Sequence, residues 1–227
     1  HKAGLKRITS LLLDSEKGVI KSTEDIDAIG HRVVHGGSSY TKTTLINEEV
    51  KNKIKTLSPL APLHNPANLE GILMAEEIFI TSKQFVVFDT AFHGTIPVRA
   101  KQYAIPVDLY NEKGIQAYGF HGTSHKYVSK KAIEYLNIKK TKLISIHLGN
   151  GCSITAIKNG KSIDHSMGFA PSNGLVMGTR SGDIDHSIIF YMVDTLGYSI
   201  DDVKELLNKK SGMLGLTGFN DLRDIES

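Results

Sequence analysis

The 227 residues include no tryptophan and one cysteine, Cys152. A lone thiol cannot close an intramolecular disulfide, so the chain is no disulfide scaffold; the pattern fits a reducing compartment, and we expect a cytoplasmic protein. No apolar run approaches the roughly 20 residues that a membrane-spanning helix needs. The opening stretch HKAGLKRITSLLLDSEKG has too short an apolar part for a signal peptide and lacks a small-residue cleavage site; it reads as an amphipathic helix. Because residue 1 is His and that helix begins without a cap, the sequence reads as starting within a longer chain. A strong charge of one sign is also missing: 27 Lys and Arg stand against 24 Asp and Glu, spread along the chain. That balance leaves no footprint for nucleic acid or for a membrane surface. Low complexity and short-period repeats are absent, and 40% hydrophobic residues suffice for one large domain or two ordinary ones.

What is present alternates. DAIGHRVVHGG reads as a strand ending in a glycine turn, and INEEVKNKIKTLS places Val50, Ile54 and Leu57 at helical spacing. HNPANLEGILMAEEIF follows, with Asn65 as cap and Pro66 as first helical position. QFVVFD, an apolar run closed by Asp89, reads as a buried strand of a parallel sheet. Strand, helices and strand over residues 26 to 89 predict an α/β fold with helical crossovers. After a connector punctuated by Pro97 and Pro106, YGFHGTSHKYVSKKAIEYLN predicts a loop feeding a helix from Thr123 or Ser124 to Leu136. KLISIHLGNGCSITAIKNGKSIDHS reads as two strands with glycine loops, an Asn159-Gly160 hairpin signal and a third short strand. Helices are expected around DIDHSIIFYMVDTL and SIDDVKELLNKK, and GMLGLTGFNDLRDIES resembles the front of another. The restart of a hairpin-first sheet near residue 142 signals a second domain.

Residues able to do chemistry sit at strand ends and glycine loops. They are Arg32 and His35 in HRVVHGG, His64 in LAPLHNP, Asp89 and His93 in FDTAFHG, His121 and His125 in GFHGTSH, His147 and Asn150 in HLGNG, and Arg180 and Asp183 in MGTRSGDID. One such residue beside a glycine is usually structural; six such loops point as a group to a functional site. Asp89 reads either as the cap of a helix or turn or as a ligand-facing carboxylate at the sheet rim. HLGNGCS offers backbone N–H groups in the manner of a phosphate-binding turn, but lacks the lysine and spacing of a P-loop, and a plain tight hairpin is the competing reading. Arg180 between two glycines suits bidentate binding of carboxylate or phosphate, against a structural Arg180–Asp183 pair. The i,i+4 pairs His31/His35 and His121/His125 do not read as zinc sites: on a strand the spacing does not converge, and HGTSH lacks the glutamate of an HExxH helix. Cys152 reads as a packed small apolar side chain.

In this order and at these separations, HRVVHGG, LAPLHNP, VFDTAFH, YGFHGTSH, HLGNG and GLVMGTRSGDID resemble the motifs of the acetate kinase family, within the acetate and sugar kinase/Hsc70/actin superfamily. The resemblance runs from about Ile29 to Leu216. It implies two duplicated ribonuclease H-like (actin-like ATPase) domains around a cleft, both incomplete here: residues 1–91 as part of the N-terminal domain and 92–227 as part of the C-terminal one. It further implies reversible phosphoryl transfer from ATP to acetate, giving acetyl phosphate and ADP, with Mg2+ (or Mn2+), in a homodimer. Carried over residue by residue, it makes Asp89, His121, Arg180 and His64 catalytic. Arg32, Val34, Leu63, Phe120 and Pro171 fall to the acyl substrate, the last four lining a small pocket for its methyl group. The loop His147, Leu148, Gly149, Asn150 and Gly151 falls to the ATP phosphates.

Elementary chemistry refines one of these roles. A short carboxylic acid with a pKa of roughly 4.3 is ionised at neutral pH and has no proton for a base to remove, so Asp89 is expected to hold Mg2+, directly or through water, and to orient the reacting groups. Two departures stand out: His186 where a proline is more typical, and APSNG in place of a more acidic loop. Members of the family are also much longer, with opening strands and a later nucleotide-binding portion that this sequence lacks. Propionate kinase is the nearest alternative and butyrate kinase a weaker one; a His/Asp metallohydrolase and a non-enzymatic fragment are the readings from other classes.

Overall fold

In the computed structural model, which describes residues 2–62, 64–138 and 140–226, the chain divides into two compact units, His1–Ala91 and Phe92–Ser227. The first opens with helix α1 (Lys2–Leu12) and strand β1 (Ala28–Val33). β1 pairs in parallel with β3 (Lys83–Phe88), Arg32 lying opposite Val87 and Val33 opposite Phe88. A strand of two residues, β2 (Thr44–Leu45), which the sequence pattern is too short to signal, adds antiparallel to the other side of β3 and gives the order β1-β3-β2. β3 is thus the central strand, and it buries Gln84, Val86 and Phe88 at alternate positions.

Helix α2 (Glu48–Thr56) begins where the Asn47 side chain accepts the Val50 N–H, with Glu48 and Glu49 in its first turn and Lys53 and Lys55 in its last, in keeping with the helix dipole. Its Val50 and Ile54, one turn apart, join Val33, Ile72, Val86 and Phe88 in one buried cluster. Full burial of a side chain such as Ile54 contributes about 1.5–3 kcal/mol.

Helix α3 (Asn65–Ile78) corrects one sequence expectation. His64, not Asn65, occupies the cap position, and it makes no side-chain cap bond. Asn65 is the first helical residue and is fully buried because its amide serves another loop: Oδ1 accepts the His35 N–H at 3.0 Å and Nδ2 donates to the His35 carbonyl at 3.0 Å.

In the second unit, short helices α4 (Val98–Lys101) and α5 (Val107–Asn111) fill the proline-punctuated connector. Helix α6 (Gly122–Leu136) starts one residue before the predicted Thr123. Strands β4 (Lys142–Leu148), β5 (Cys152–Lys158) and β6 (Lys161–His165) form an antiparallel meander in sequence order. Asn159 and Gly160, with φ of 51° and 73°, make the β5–β6 turn, a backbone that disfavours side chains other than Asn or Asp. β5 turns Ser153, Thr155 and Ile157 inward, and α6 presents the buried stripe Gly122, His125 and Ser129. Helices α7 (Ser187–Asp194), α8 (Ile200–Lys209), α9 (Gly212–Thr217) and α10 (Leu222–Ile225) complete the unit. Among the described residues, no helix is long and apolar enough to cross a membrane.

Candidate active site

In the first unit, the parallel register sets Arg32 near the end of β1 beside Asp89, the residue that follows β3. The Asp89 N–H continues the ladder to the Val33 carbonyl at 2.9 Å, which directs its side chain back to Arg32. The contact is bidentate: Nε donates to Oδ1 at 2.9 Å and Nη2 to Oδ2 at 2.5 Å. Asp89 therefore caps no helix. It is 1% exposed, whereas the Arg32 side chain is 61% exposed, so a buried anion grips an exposed guanidinium and fixes its direction. The hydrogen bond to Asp89 is the chief cause that holds Arg32 above its ordinary pKa, against the opposing effect of burial.

That geometry bears on the metal expected at Asp89. Mg2+ takes one or two carboxylates besides phosphates and waters, but both Asp89 oxygens already serve Arg32, and no three of His, Cys, Asp and Glu gather to hold an ion among the described residues. Each Asp89 oxygen keeps a second lone pair, so Asp89 can still supply one ligand, directly or through water, but the described residues gather no full ligand set, and no step below runs through a metal.

The loop after β1 is clamped from α3. Asn68 accepts the Val34 N–H at 3.2 Å, as Asn65 accepts that of His35. Val34 and His35 are buried, and burial pushes His35 down to about 4. The Gly37 N–H donates to His35 Nδ1 at 3.1 Å, which the neutral ring can accept. His64 is half-buried at the start of α3. Leu63 lies outside the described residues.

The second unit gathers the other candidates. The two glycine loops dock: the Gly178 N–H donates to the Asn150 carbonyl at 3.0 Å, and a Cβ on Gly178 would stand 2.3 Å from Asn150 Oδ1. HLGNG closes tightly, Gly149 N–H to Gly151 carbonyl at 3.1 Å. The position that a Cβ on Gly151 would take is 3.2 Å from His121 Nε2 and 3.5 Å from Arg180 Nη1. A glycine there leaves the gap between the imidazole edge and the guanidinium open. Arg180 also donates through Nη1 to the Pro171 carbonyl, and burial draws its pKa below the usual value. Asp183 instead accepts the Gly174 N–H at 2.7 Å, so the loop is not closed by an Arg180–Asp183 pair.

His121 itself sits at the α6 cap with φ 56° and ψ 24°, a left-handed conformation that is uncommon outside glycine although His, Asn and Asp adopt it more often than other residues. Its ring stacks on that of His147, centroids 4.1 Å apart, and His147 Nδ1 pairs with Ser124 Oγ at 2.9 Å. Phe120, 1% exposed, is held through its backbone: its carbonyl accepts His93 Nε2–H at 2.8 Å and its N–H donates to His165 Nε2 at 3.0 Å. Carbonyls accept and amides donate, so both tautomers are determined: His93 carries its proton on Nε2, and His165 on Nδ1, which then donates to Thr155 Oγ1 at 2.7 Å. Burial pushes His93 and His125 down to about 4, and burial together with the neighbouring His93, His125 and His121 pushes His165 lower still. These are neutral rings. Cys152, expected to be packed away, is half-exposed, and its Sγ donates to the Gly149 carbonyl at 3.2 Å.

Chemically, the second unit brings an arginine and an imidazole edge close to the same glycine of the HLGNG loop, donors of the kind suited to an anion whose charge is spread over several oxygens. The structure also uses residues that the motif reading did not single out: Ser153, Ser145, Thr155, Ser162 and His165, which hold the imidazoles. One signal for them was present, hydroxyls at inward positions of strands where apolar residues are usual.

Comparison with known proteins bears on this geometry. A sequence model of the acetokinase family matches residues 1–227. The chain is 67% identical over 227 residues to an acetate kinase of Flavobacterium johnsoniae, covering all of this chain and 57% of that protein. Among solved structures, it is similar to an acetate kinase of Porphyromonas gingivalis (TM-score 0.92, 48% identity, all of this chain and 57% of that one). It is also similar to a propionate kinase of Francisella tularensis (TM-score 0.94, 50% identity, all of this chain and 58% of that one). The chain thus spans a little over half the length of these relatives. With the family matched along its whole length, this chain belongs to the acetokinase family.

Proposed function

We propose that the protein carrying this sequence transfers the γ-phosphoryl group of ATP to acetate, reversibly, to give acetyl phosphate and ADP. The observation that carries the reading is the convergence of His121 Nε2 and Arg180 Nη1 on the space over Gly151, beside the HLGNG loop. An acetate oxygen attacks the γ-phosphorus as the bond to the bridging oxygen breaks, and ADP leaves. No proton is taken from the acid. Catalysis then requires positioned donors and cations for the equatorial oxygens, and His121 and Arg180 are of that kind. In the first unit, Arg32, aimed by Asp89, would bind the acyl carboxylate or the phosphoryl oxygens, His64 would assist and Val34 would meet the methyl group; in the second, Phe120 and Pro171 are the residues assigned to the methyl group. ATP would enter as its Mg2+ complex, whose charge the ion would offset. Within this reading the enzyme is cytoplasmic and a homodimer.

Propionate is the second reading, because one methylene in an apolar pocket discriminates by only about 1–3 kcal/mol and a relative described as a propionate kinase is 50% identical. The test is ATP-dependent acyl phosphate formation, trapped with hydroxylamine, across formate to butyrate. We expect the highest kcat/KM with acetate, and a loss of roughly 10²–10³ in kcat for Arg180→Ala. A higher kcat/KM with propionate would move the assignment to that acid, and no acyl phosphate from any of them would overturn it.

A further inference from the structure

Ser153 is completely buried, and its Oγ meets two imidazoles: His121 Nδ1 at 2.9 Å and His125 Nε2 at 2.8 Å. His125, also completely buried, continues the chain through Nδ1 to Ser145 Oγ at 2.9 Å. The sequence of groups is therefore Ser145, His125, Ser153, His121. A hydroxyl has one proton to donate and two lone pairs to accept with, so with neutral rings the bonds can be arranged in three ways. In one, Ser145 donates to His125 Nδ1, His125 donates Nε2–H to Ser153, and Ser153 donates to His121 Nδ1. His121 then carries its own proton on Nε2. In the other two, His121 donates Nδ1–H to Ser153, whether Ser153 donates on to His125 or accepts from it as well, and Nε2 presents a bare lone pair toward the gap it shares with Arg180.

Either of these would set a lone pair against phosphoryl oxygens, which a site for an anion disfavours. We infer that Ser153, backed by His125 and Ser145, is a positioning residue that holds His121 through Nδ1 and thereby makes Nε2–H the donor facing Arg180. The inference rests on the phosphoryl-transfer reading for the choice of direction. Three features of the structure support it. Ser145, His125 and Ser153 are buried, where such bonds are strong and exchange little with water. Burial keeps His125 neutral, with a pKa pushed down to about 4, as the relay requires. And the left-handed backbone of His121 (φ 56°), a conformation uncommon outside glycine, marks this position as one worth a functional reading.

The experiment is long-range proton–nitrogen NMR of the full chain with 15N-labelled histidine, His121 being assigned by the signal lost in His121→Gln. We expect an unprotonated Nδ1 and a protonated Nε2 for neutral His121. Ser153→Ala should give a mixture of tautomers, and Ser153→Thr, which keeps a hydroxyl, should restore the single one. In turnover, Ser153→Ala should lower kcat roughly a hundredfold, the size of effect that a misplaced group produces, with both KM values held within about twofold and Ser153→Thr recovering most of the loss. A wild-type His121 protonated on Nδ1 overturns the inference whether or not any variant folds, and so does a single unchanged tautomer in Ser153→Ala. Expected NMR signatures in a protein that makes no acyl phosphate would uphold the positioning and sink the phosphoryl-transfer reading alone.

Discussion

Arg32 and Asp89 form one pair, yet removing either partner should have unequal consequences. Asp89 is 1% exposed, so a variant without the guanidinium keeps a carboxylate that water cannot reach. Deleting one partner of a buried pair costs about 3–5 kcal/mol for this reason. The Arg32 side chain, by contrast, is 61% exposed, and water can solvate it once Asp89 is neutral; screening at such a site trims the pair's contribution further. We therefore expect Arg32→Met to lower the unfolding free energy by about 3 kcal/mol and Asp89→Asn by about 1 kcal/mol. The double variant buries no charge, so it should cost less than the two singles together, with a coupling of about 2 kcal/mol. Urea unfolding followed by far-UV circular dichroism measures all four corners of the cycle. Equal losses for the two single variants, or strict additivity in the double, would refute the picture of a buried anion that depends on an exposed cation.

Two further expectations concern the second unit. His93 and His125 are 1% and 0% exposed, with pKa values pushed down to about 4, so the folded state refuses protons that an unfolded histidine accepts at about 6.5. Their contribution is complete above pH 6.5 and is lost as the pH falls toward 4, on the order of 2 kcal/mol per histidine by pH 5; urea midpoints that stay level from pH 7 to pH 5 would contradict this. Gly151 lies outside the left-handed region, so Gly151→Ala adds no backbone strain and acts through space alone, its methyl falling 3.2 Å from His121 Nε2. We expect roughly a tenfold or greater loss of kcat with stability changed by less than about 1 kcal/mol, and a variant with wild-type kcat would show that this gap is not used.

Much of the fold follows from local rules. The apolar run in QFVVFD, helical spacing in INEEVKNKIKTLS and the Asn159-Gly160 turn each depend on neighbours along the chain, and each element formed as its pattern predicts. The motifs likewise singled out Arg32, Asp89, His121, the HLGNG loop and Arg180 as candidates, because chemistry-bearing residues beside glycines at strand ends are visible without coordinates. The tertiary structure decided their relations. That Asp89 grips Arg32 depends on the register of two strands more than fifty residues apart, with no tight turn between them to fix it. Asn65 sits where a cap would be read, and its burial against His35 draws it into another loop's hydrogen bonds. Ser153 shows the difference most plainly: in the sequence it is one serine in a strand, and only the packing of α6 on β4 and β5 sets its single proton between two imidazoles.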